Sequence, residues 1–574
     1  MLKASLIAIG GLLVSSWSLA QIPVGSEFLV SSYTTGSQSA AKLAMGSDGD
    51  FVVVWKSDGS DSDDASGSSI QGRRYASDGT ALGPPFQVNT YTTNNQSGPS
   101  IAMGPGGDFV VVWTSRGSES GDASRTSVQG RRFRADGTAL GSQFQISSPD
   151  PTAGDQFGAK VDLDSDGNMV VIWRREAGYR IDIFGQRYSA DGTLLGPQLE
   201  IWSTPYEPGT PLDLAVAPDG GFTVIRGFER TFPNFGFDIR ARRFTADGTA
   251  LASEFTINQQ AEGIHVGGRM AMGPDGDFVV AWQRQGDPFD SNDGYGIVTR
   301  RFSSDGDAVG DSVQVETNTV LSQLAPDIAQ APSGESVVVW ATENPLIAGG
   351  PPPDHVPGIH GRLFSSAGVP QVAQFPVDLP GPETNSNIGA PNVAMADNGD
   401  FVVVWSRREE VSGWNVYGQR FCLDRDLDGS CDTDDLCVGD DATGDRDGDG
   451  ICDSDDVCDA ADPTNLCLKG DRFRVGIEWR DFKDGSGVGR AAAGSEDSGL
   501  FWFFDPDNWE ILVKVLDGCD VNGHVWVFAA ATTDVEYTLT VTDTRSGEVR
   551  AYFNALGAAS PAVTDTSAFA SCPD

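Results

Sequence analysis

Seven times the 574-residue chain returns to nearly the same text, and that repetition limits its fold more than any single residue does. The segment Asp50-Phe51-Val52-Val53-Val54-Trp55 recurs at Asp108 to Trp113, Asn168 to Trp173, Gly221 to Arg226, Asp277 to Trp282, Glu335 to Trp340 and Asp400 to Trp405. A second signature follows each copy: Arg73-Arg74-Tyr75 in the first, then Arg132-Phe133, Arg187-Tyr188, Arg243-Phe244, Arg301-Phe302, Leu363-Phe364 and Arg420-Phe421. Successive Trp-type positions stand 53 to 65 residues apart. A repeating unit of this size has too little core of its own and must bury its apolar faces on its neighbours.

Within a copy the pattern reads as four strands, as in Ser100 to Met103, Phe109 to Trp113, Val128 to Phe133 and Phe144 to Ile146, with Asp-Gly favouring the positive-φ turn between the last two. The whole chain is expected to be all-β. Seven four-stranded copies predict a seven-bladed β-propeller over residues 21–421, with each Trp packed between blades. Arg226 breaks that rule in the fourth copy. The seventh copy lacks a fourth strand, while Gly25 to Val30 matches Ala252 to Ile257 of copy four, so the N-terminal segment is expected to close the ring. The text "DFVVVW…GRRF…ADGTALGSQFQI" resembles a family of tandem repeats of large secreted bacterial proteins over about residues 25–421. That resemblance implies a propeller and assigns it no ligand. Polar or Pro-rich loops at Ser57 to Ser69, Ser115 to Ser127 and Pro345 to Pro357 are the expected recognition face. Asp162 to Gly167 has the alternating carboxylates of a calcium loop but no later ligands, and reads as a hairpin turn.

Lys3, the apolar run Leu6 to Val14 and Ser18-Leu19-Ala20 form a signal peptide over residues 1–20, so the mature chain is expected to be secreted and to begin near Gln21. No later stretch approaches the roughly 18 apolar residues of a membrane span. Eight cysteines fall only from Cys422 onward, which in an exported chain predicts disulfides confined to the C-terminal third. With 81 acidic against 39 basic residues, a formal charge of −42 repels phosphate backbones and anionic lipid and attracts divalent cations. Neither nucleic acid nor membrane insertion is expected.

From residue 422 the text changes. Asp424, Asp426, Asp428, Asp432 and Asp435 stand at positions 1, 3, 5, 9 and 12 of one loop, and Asp445, Asp447, Asp449, Asp453 and Asp456 repeat that spacing, each with glycine at position 6. A hard cation takes six to eight oxygens, and the backbone carbonyls of Ser430 and Ile451 at position 7 would add one each, so calcium is the expected cofactor. The flanks have no helical period, which argues against an EF-hand. "DRDLDGSCDTDDLC" and "GDRDGDGICDSDDVC" resemble thrombospondin type 3 repeats over about residues 422–467. The resemblance implies structural calcium in disulfide-stapled turns, with Cys437 and Cys452 as one conceivable bridge among 105 connectivities.

Residues 468–574 read as a C-terminal β-sandwich, with Cys519 and Cys572 able to staple its end to its middle. Trp502, Phe503, Phe504 and Trp509 could stack on sugars, though alternation sends about half of them inward. "GLFWFFDPDNWEILVKVLDGCDVNGHVWVF" resembles a terminal module of secreted bacterial proteins. Four histidines, His265, His355, His360 and His524, lie beside no nucleophile motif, and neither G-x-S-x-G nor H-E-x-x-H occurs. The sequence therefore favours a non-catalytic, calcium-rigidified binding or adhesion protein whose propeller face recognises a glycan or a protein, and no enzyme is expected. The alternative is a glycan-active hydrolase or lyase whose carboxylates cannot be picked from 81 acids.

Overall fold

A computed structural model describes residues 20–424 apart from 34, 60–66, 118–124, 149–153, 179, 206–211, 231–234, 261, 287–293, 318–321, 343–357, 379–387 and 410–412, then 431–432, 452, 456 and 458–572 apart from 571. It divides into two compact units, one built on the residues up to Arg425 and the other on those from Asp434 onward.

In the first unit each repeat copy folds into antiparallel strands laid side by side in chain order. The innermost strands are Gln38–Met45, Gln96–Met103, Asp155–Leu163, Leu212–Val216, Ile264–Met272, Gln323–Gln330 and Asn392–Met395. Each neighbours the next, and the last neighbours the first, which makes the fold propeller-like and closed. The seventh copy takes its outermost strand from the N-terminus, where Ala20–Leu29 pairs antiparallel with Gly413–Asp424.

The repeat text has a physical account. The Val-rich strands are buried on both faces because each is covered by the next copy: Val52, Val54, Ile70 and Val88 of the first copy share a core with Ile101, Val111, Trp113 and Phe133 of the second. In five copies the run opens with a Phe that stacks on the aromatic residue closing the next strand, with centroids 4.8 Å apart for Phe51 and Tyr75 and 4.9 Å for Phe109 and Phe133, whereas Met169 and Ser336 take that place in the third and sixth. A third ring from the outer strand, Phe28 or Phe86, tilts onto each pair. That ring explains the glycine ahead of the arginines, since a Cβ on Gly72 would stand 2.7 Å from Phe86 and one on Gly418 2.7 Å from Phe28.

The two arginines work in opposite directions. The first reaches back to a carbonyl of the preceding copy, Arg73 to Val30 at 3.2 Å, Arg131 to Val88 at 2.9 Å and Arg300 to Ile257 at 3.1 Å. The second reaches forward to the Asp-Gly turn of the next copy, as Arg74 does to the Asp136 carbonyl and Arg420 to that of Asp78 at 2.7 Å. The buried Trp rings, each worth about 3–5 kcal/mol against alanine, outweigh these partly solvated hydrogen bonds of about 1–2 kcal/mol, so the arginines set register between copies more than they hold them together.

Arg226 departs from the Trp rule because the ring comes from the neighbouring copy. Its guanidinium lies 5.1 Å from the centroid of Trp202, which stands on the outer strand Leu199–Pro205 of the third copy. Trp202 in turn donates to Glu254 at 2.7 Å, and Glu254 pairs with Arg240.

The second unit holds two five-stranded antiparallel sheets around one core, with Phe473, Val475, Ile477, Leu539 and Val541 from one meeting Phe501, Val513, Val515, Val525 and Val527 from the other. Cys519 is bridged to Cys572. The strands Leu466–Leu468, Ser486–Val488, Arg490–Ser495 and Val563–Phe569 complete these sheets. Arg490–Ser495 is an exposed edge reading Arg-Ala-Ala-Ala-Gly-Ser, which carries no alternation to announce a strand. Among the described residues no helix is long and apolar enough to cross a membrane.

Phe28→Ala and Phe86→Ala delete equivalent rings, and each should lower stability by about 2–4 kcal/mol in denaturant unfolding. Only Phe28→Ala also loosens the closing strand, so limited proteolysis should cut within residues 20–30 first in that variant and leave them protected in the other.

Candidate functional site

One column of the repeat does not repeat. The residue paired with the position just before each Trp-type residue is Lys42 opposite Val54, Ser100 opposite Val112, Lys160 opposite Ile172, Asp213 opposite Ile225, Arg269 opposite Ala281, Asp327 opposite Val339 and Asn392 opposite Val404. These seven side chains, one from each innermost strand, line a single cavity of about 370 Å³. A β-bulge precedes five of them, at positive φ two residues upstream: Ala40 (54°), Gly98 (59°), Gly158 (66°), Gly267 (74°) and Ala325 (51°). Bulges re-aim the side chains that follow, and a left-handed backbone at two alanines is strain held where the lining is set.

The ring obeys a donor and acceptor rule. Ser100 Oγ accepts from the Val161 N–H at 3.4 Å, Asp213 Oδ2 from Met270 at 3.0 Å, Asp327 Oδ2 from Val393 at 2.9 Å and Asn392 Oδ1 from Leu43 at 2.8 Å, each donor belonging to the next copy. Copies one, three and five carry cations instead. Lys160 Nζ lies 3.1 Å from Asp213 Oδ1, and Arg269 Nε lies 3.7 Å from Asp327 Oδ1. Seven positions cannot alternate all the way round, so copies six and seven both present acceptors. Asparagine resolves the conflict, because Asn392 Nδ2 donates to Asp327 while its oxygen serves Leu43.

Two residues further along the same strands the column reads Ala44, Ala102, Asp162, Ala215, Ala271, Ala329 and Ala394. Six methyl groups and one carboxyl form this layer. Asp162 Oδ2 accepts from the Val216 N–H at 2.8 Å and Oδ1 from Leu163 at 2.9 Å. Burial pushes its pKa up to about 7 against those two donors, with Asp213 adding to the rise. Burial also works upward on Asp213, but Lys160 and Arg269 outweigh it and hold that carboxyl below its ordinary value. Burial lowers Lys42 to about 8, with Asp327 opposing. The channel therefore holds one carboxyl poised near neutrality beside one kept ionised, the division that acid–base chemistry requires. Sequence reasoning missed both columns, although aligning the seven copies would have displayed them.

Of the expected calcium ligands, Asp424, Asp432 and Asp456 are described. Asp426, Asp428, Ser430, Asp435, Asp445, Asp447, Asp449, Ile451 and Asp453 lie outside the described residues. Asp424 is buried at a strand end, the Asp432 N–H donates to Leu423 at 2.9 Å, and Asp456 Oδ1 accepts from the Cys458 N–H at 2.7 Å. Disulfides join Cys422 to Cys431 and Cys458 to Cys467, and Cys452 is also bridged, while Cys437 lies outside the described residues. These disulfides of the C-terminal third, with Cys519–Cys572, fit an oxidising compartment. Of the expected turn Asp162 to Gly167, Asp162 and Leu163 end the strand Asp155–Leu163, and the turn proper begins at Asp164, whose carbonyl accepts the Gly167 N–H at 3.0 Å. His265 accepts the indole N–H of Trp282 at 3.1 Å and His360 packs on Trp340, both as core residues. Phe503 is buried, and Phe504 and Trp509 are exposed. The expected recognition loops lie wholly or partly outside the described residues.

No family model and no curated protein matches the chain. Among solved structures it is similar to a protein of unknown function from Dyadobacter fermentans (9% identity, 70% of this chain and 99% of that one, TM-score 0.42). It is also similar to an α-L-arabinanase of Penicillium chrysogenum (11% identity, 56% and 92%, TM-score 0.39) and to the polysaccharide lyase Uly1 (10% identity, 67% and 89%, TM-score 0.40). At these identities the likeness is one of fold. The activities printed for the second and third of these structures are those of glycan-active enzymes, contrary to the expectation of a non-catalytic binding or adhesion protein and of no enzyme. That expectation came from a search for nucleophile and metal motifs within single segments, whereas the channel assembles its titratable groups from separate copies.

Asn392→Asp tests the odd-number rule. At neutral pH it sets an added carboxylate against Asp327 and should cost about 1–3 kcal/mol in thermal unfolding. The loss should shrink at acid pH, where the new carboxyl keeps its proton and can again donate.

Proposed function

We propose that the channel is the active site of a secreted glycan-active enzyme, a hydrolase or lyase on a seven-bladed β-propeller, with Asp162 as proton donor to the leaving sugar oxygen. The observation that carries this reading is Asp162 itself, the one carboxyl in an otherwise alanine layer, held near pH 7 at the wall of the cavity. A general acid works best when its pKa lies near the working pH, and cleavage of a glycosidic bond needs one at the departing oxygen. Asp213, fixed by Lys160 and Met270, supplies negative charge beside it. Export rests on the N-terminal signal pattern and on the disulfides. In the same reading the terminal sheets form a β-sandwich.

Asp162→Asn keeps the shape and the Val216 hydrogen-bond site but removes the acid. Assayed as release of reducing or unsaturated ends from a panel of plant and algal polysaccharides, the variant should lose about 10²–10⁴-fold in rate. Wild-type kcat should fall as pH rises through about 7, because the active form carries the proton. Equal rates in variant and wild type would overturn the assignment.

We propose further that residues 424–456 bind two calcium ions as thrombospondin type 3-like repeats, stiffening a segment with little apolar core. Five aspartates in one register, twice over, support this, as do the short disulfide loops at its two ends. Millimolar calcium should raise the unfolding temperature of chelator-stripped protein, and Asp428→Ala with Asp449→Ala should abolish that rise without changing the metal-free transition.

A further inference from the structure

The alternation around the channel leaves one charge over. Lys160 pairs forward with Asp213 and Arg269 with Asp327, but Lys42 has Ser100 ahead of it and Asn392 behind, and both are neutral. Among the described residues no carboxylate lies within ion-pairing distance of Lys42. Ser100 and Asn392 spend their acceptor oxygens on the backbone of the following copies. Three cations against two carboxylates give the ring a net charge of +1, in a chain whose total is −42. The remaining carboxyl of the channel, Asp162, accepts two backbone N–H groups and stands one layer away.

We infer that Lys42 is the anion-binding residue of the channel, and that the glycan taken there carries a carboxylate or a sulfate ester, which completes the ion pairing that the ring lacks. Three further observations support this. The cavity, at about 370 Å³, lies in the ~300–1,000 Å³ range of small-ligand sites. With a pKa of about 8, Lys42 remains about nine-tenths charged at pH 7. The acidic exterior repels anions in general, so binding needs a local excess of positive charge inside a shielded channel, where Coulomb attraction is stronger than in bulk water. The inference deepens the enzymatic reading above and rests on it for the identity of the ligand as a sugar.

The test is calorimetric titration of the full-length protein with D-glucuronate, glucose 6-sulfate and glucose. Both charged sugars should bind at least tenfold more tightly than glucose, with the difference shrinking in high salt, and their relative affinities tell carboxylate from sulfate. Lys42→Gln should bring the charged sugars down to the level of glucose. Ser100→Asp should do the same with the ring intact, since it gives Lys42 the forward partner that Asp213 gives Lys160. Equal binding of charged and neutral sugars by wild type, or no effect of either variant, overturns the inference. Cleavage of a neutral polymer without preference for charged sugars would sink it and leave the enzymatic proposal standing. Lys42-dependent binding with no polymer cleaved would sink the enzymatic proposal and leave this one.

Discussion

Every copy of the repeat borrows its core from the next one. Val54 and Ile70 are covered by Ile101 and Trp113, and Val402, Val404 and Val416 by Leu43 and Trp55, so no copy is complete until the ring is. From this requirement the rest follows. The arginines reach both ways because register must be held on both sides of each sheet. At Gly72 and Gly418 no side chain fits because an aromatic ring on the outer strand of the same sheet occupies its place. Strand one of each copy is pushed to the axis, where seven side chains meet that would be far apart in any open arrangement.

The axis is therefore where the chain is free to differ from itself. Positions between sheets are tied to one solution by packing, whereas a side chain facing the channel answers only to its neighbours around the ring. Those neighbours impose hydrogen-bond parity, and an odd ring cannot satisfy it with one donor type and one acceptor type. Asn392 absorbs that frustration on one side of Lys42, and the neutral Ser100 stands on the other. A ring of even number could have neutralised itself completely.

How much of this was legible beforehand follows the same division. The seven-copy repeat, the four strands per copy and the N-terminal strand that closes the last sheet could all be read from period and turn residues, because they depend on pattern within one copy. Arg226 could not be explained, because its partner Trp202 comes from a neighbouring sheet. The channel ligands were missed for a related reason. Each is unremarkable in its own strand, a lysine or aspartate among 120 charged residues, and becomes meaningful only when its column is read across copies. The aspartate loops are a pattern of local spacing, read without reference to any other part of the chain. In the terminal unit the alternating strands were readable and the flat, alanine-rich edge was not.

The strand that closes the ring lies at the start of the chain, and Glu27 grips Arg407 across 380 residues. Loop-closure entropy grows slowly with length, by about 0.6 kcal/mol per doubling, so the final state suffers little from this distance. The order of events is another matter. A chain that emerges N-terminus first presents an unpaired strand whose partner follows only after six copies have been made, and each of those copies shows a bare face to whatever is nearby. Closure is thus the last step open to the molecule, and until it happens the edge of the seventh sheet is a template for any other extended segment, including the closing strand of a second chain.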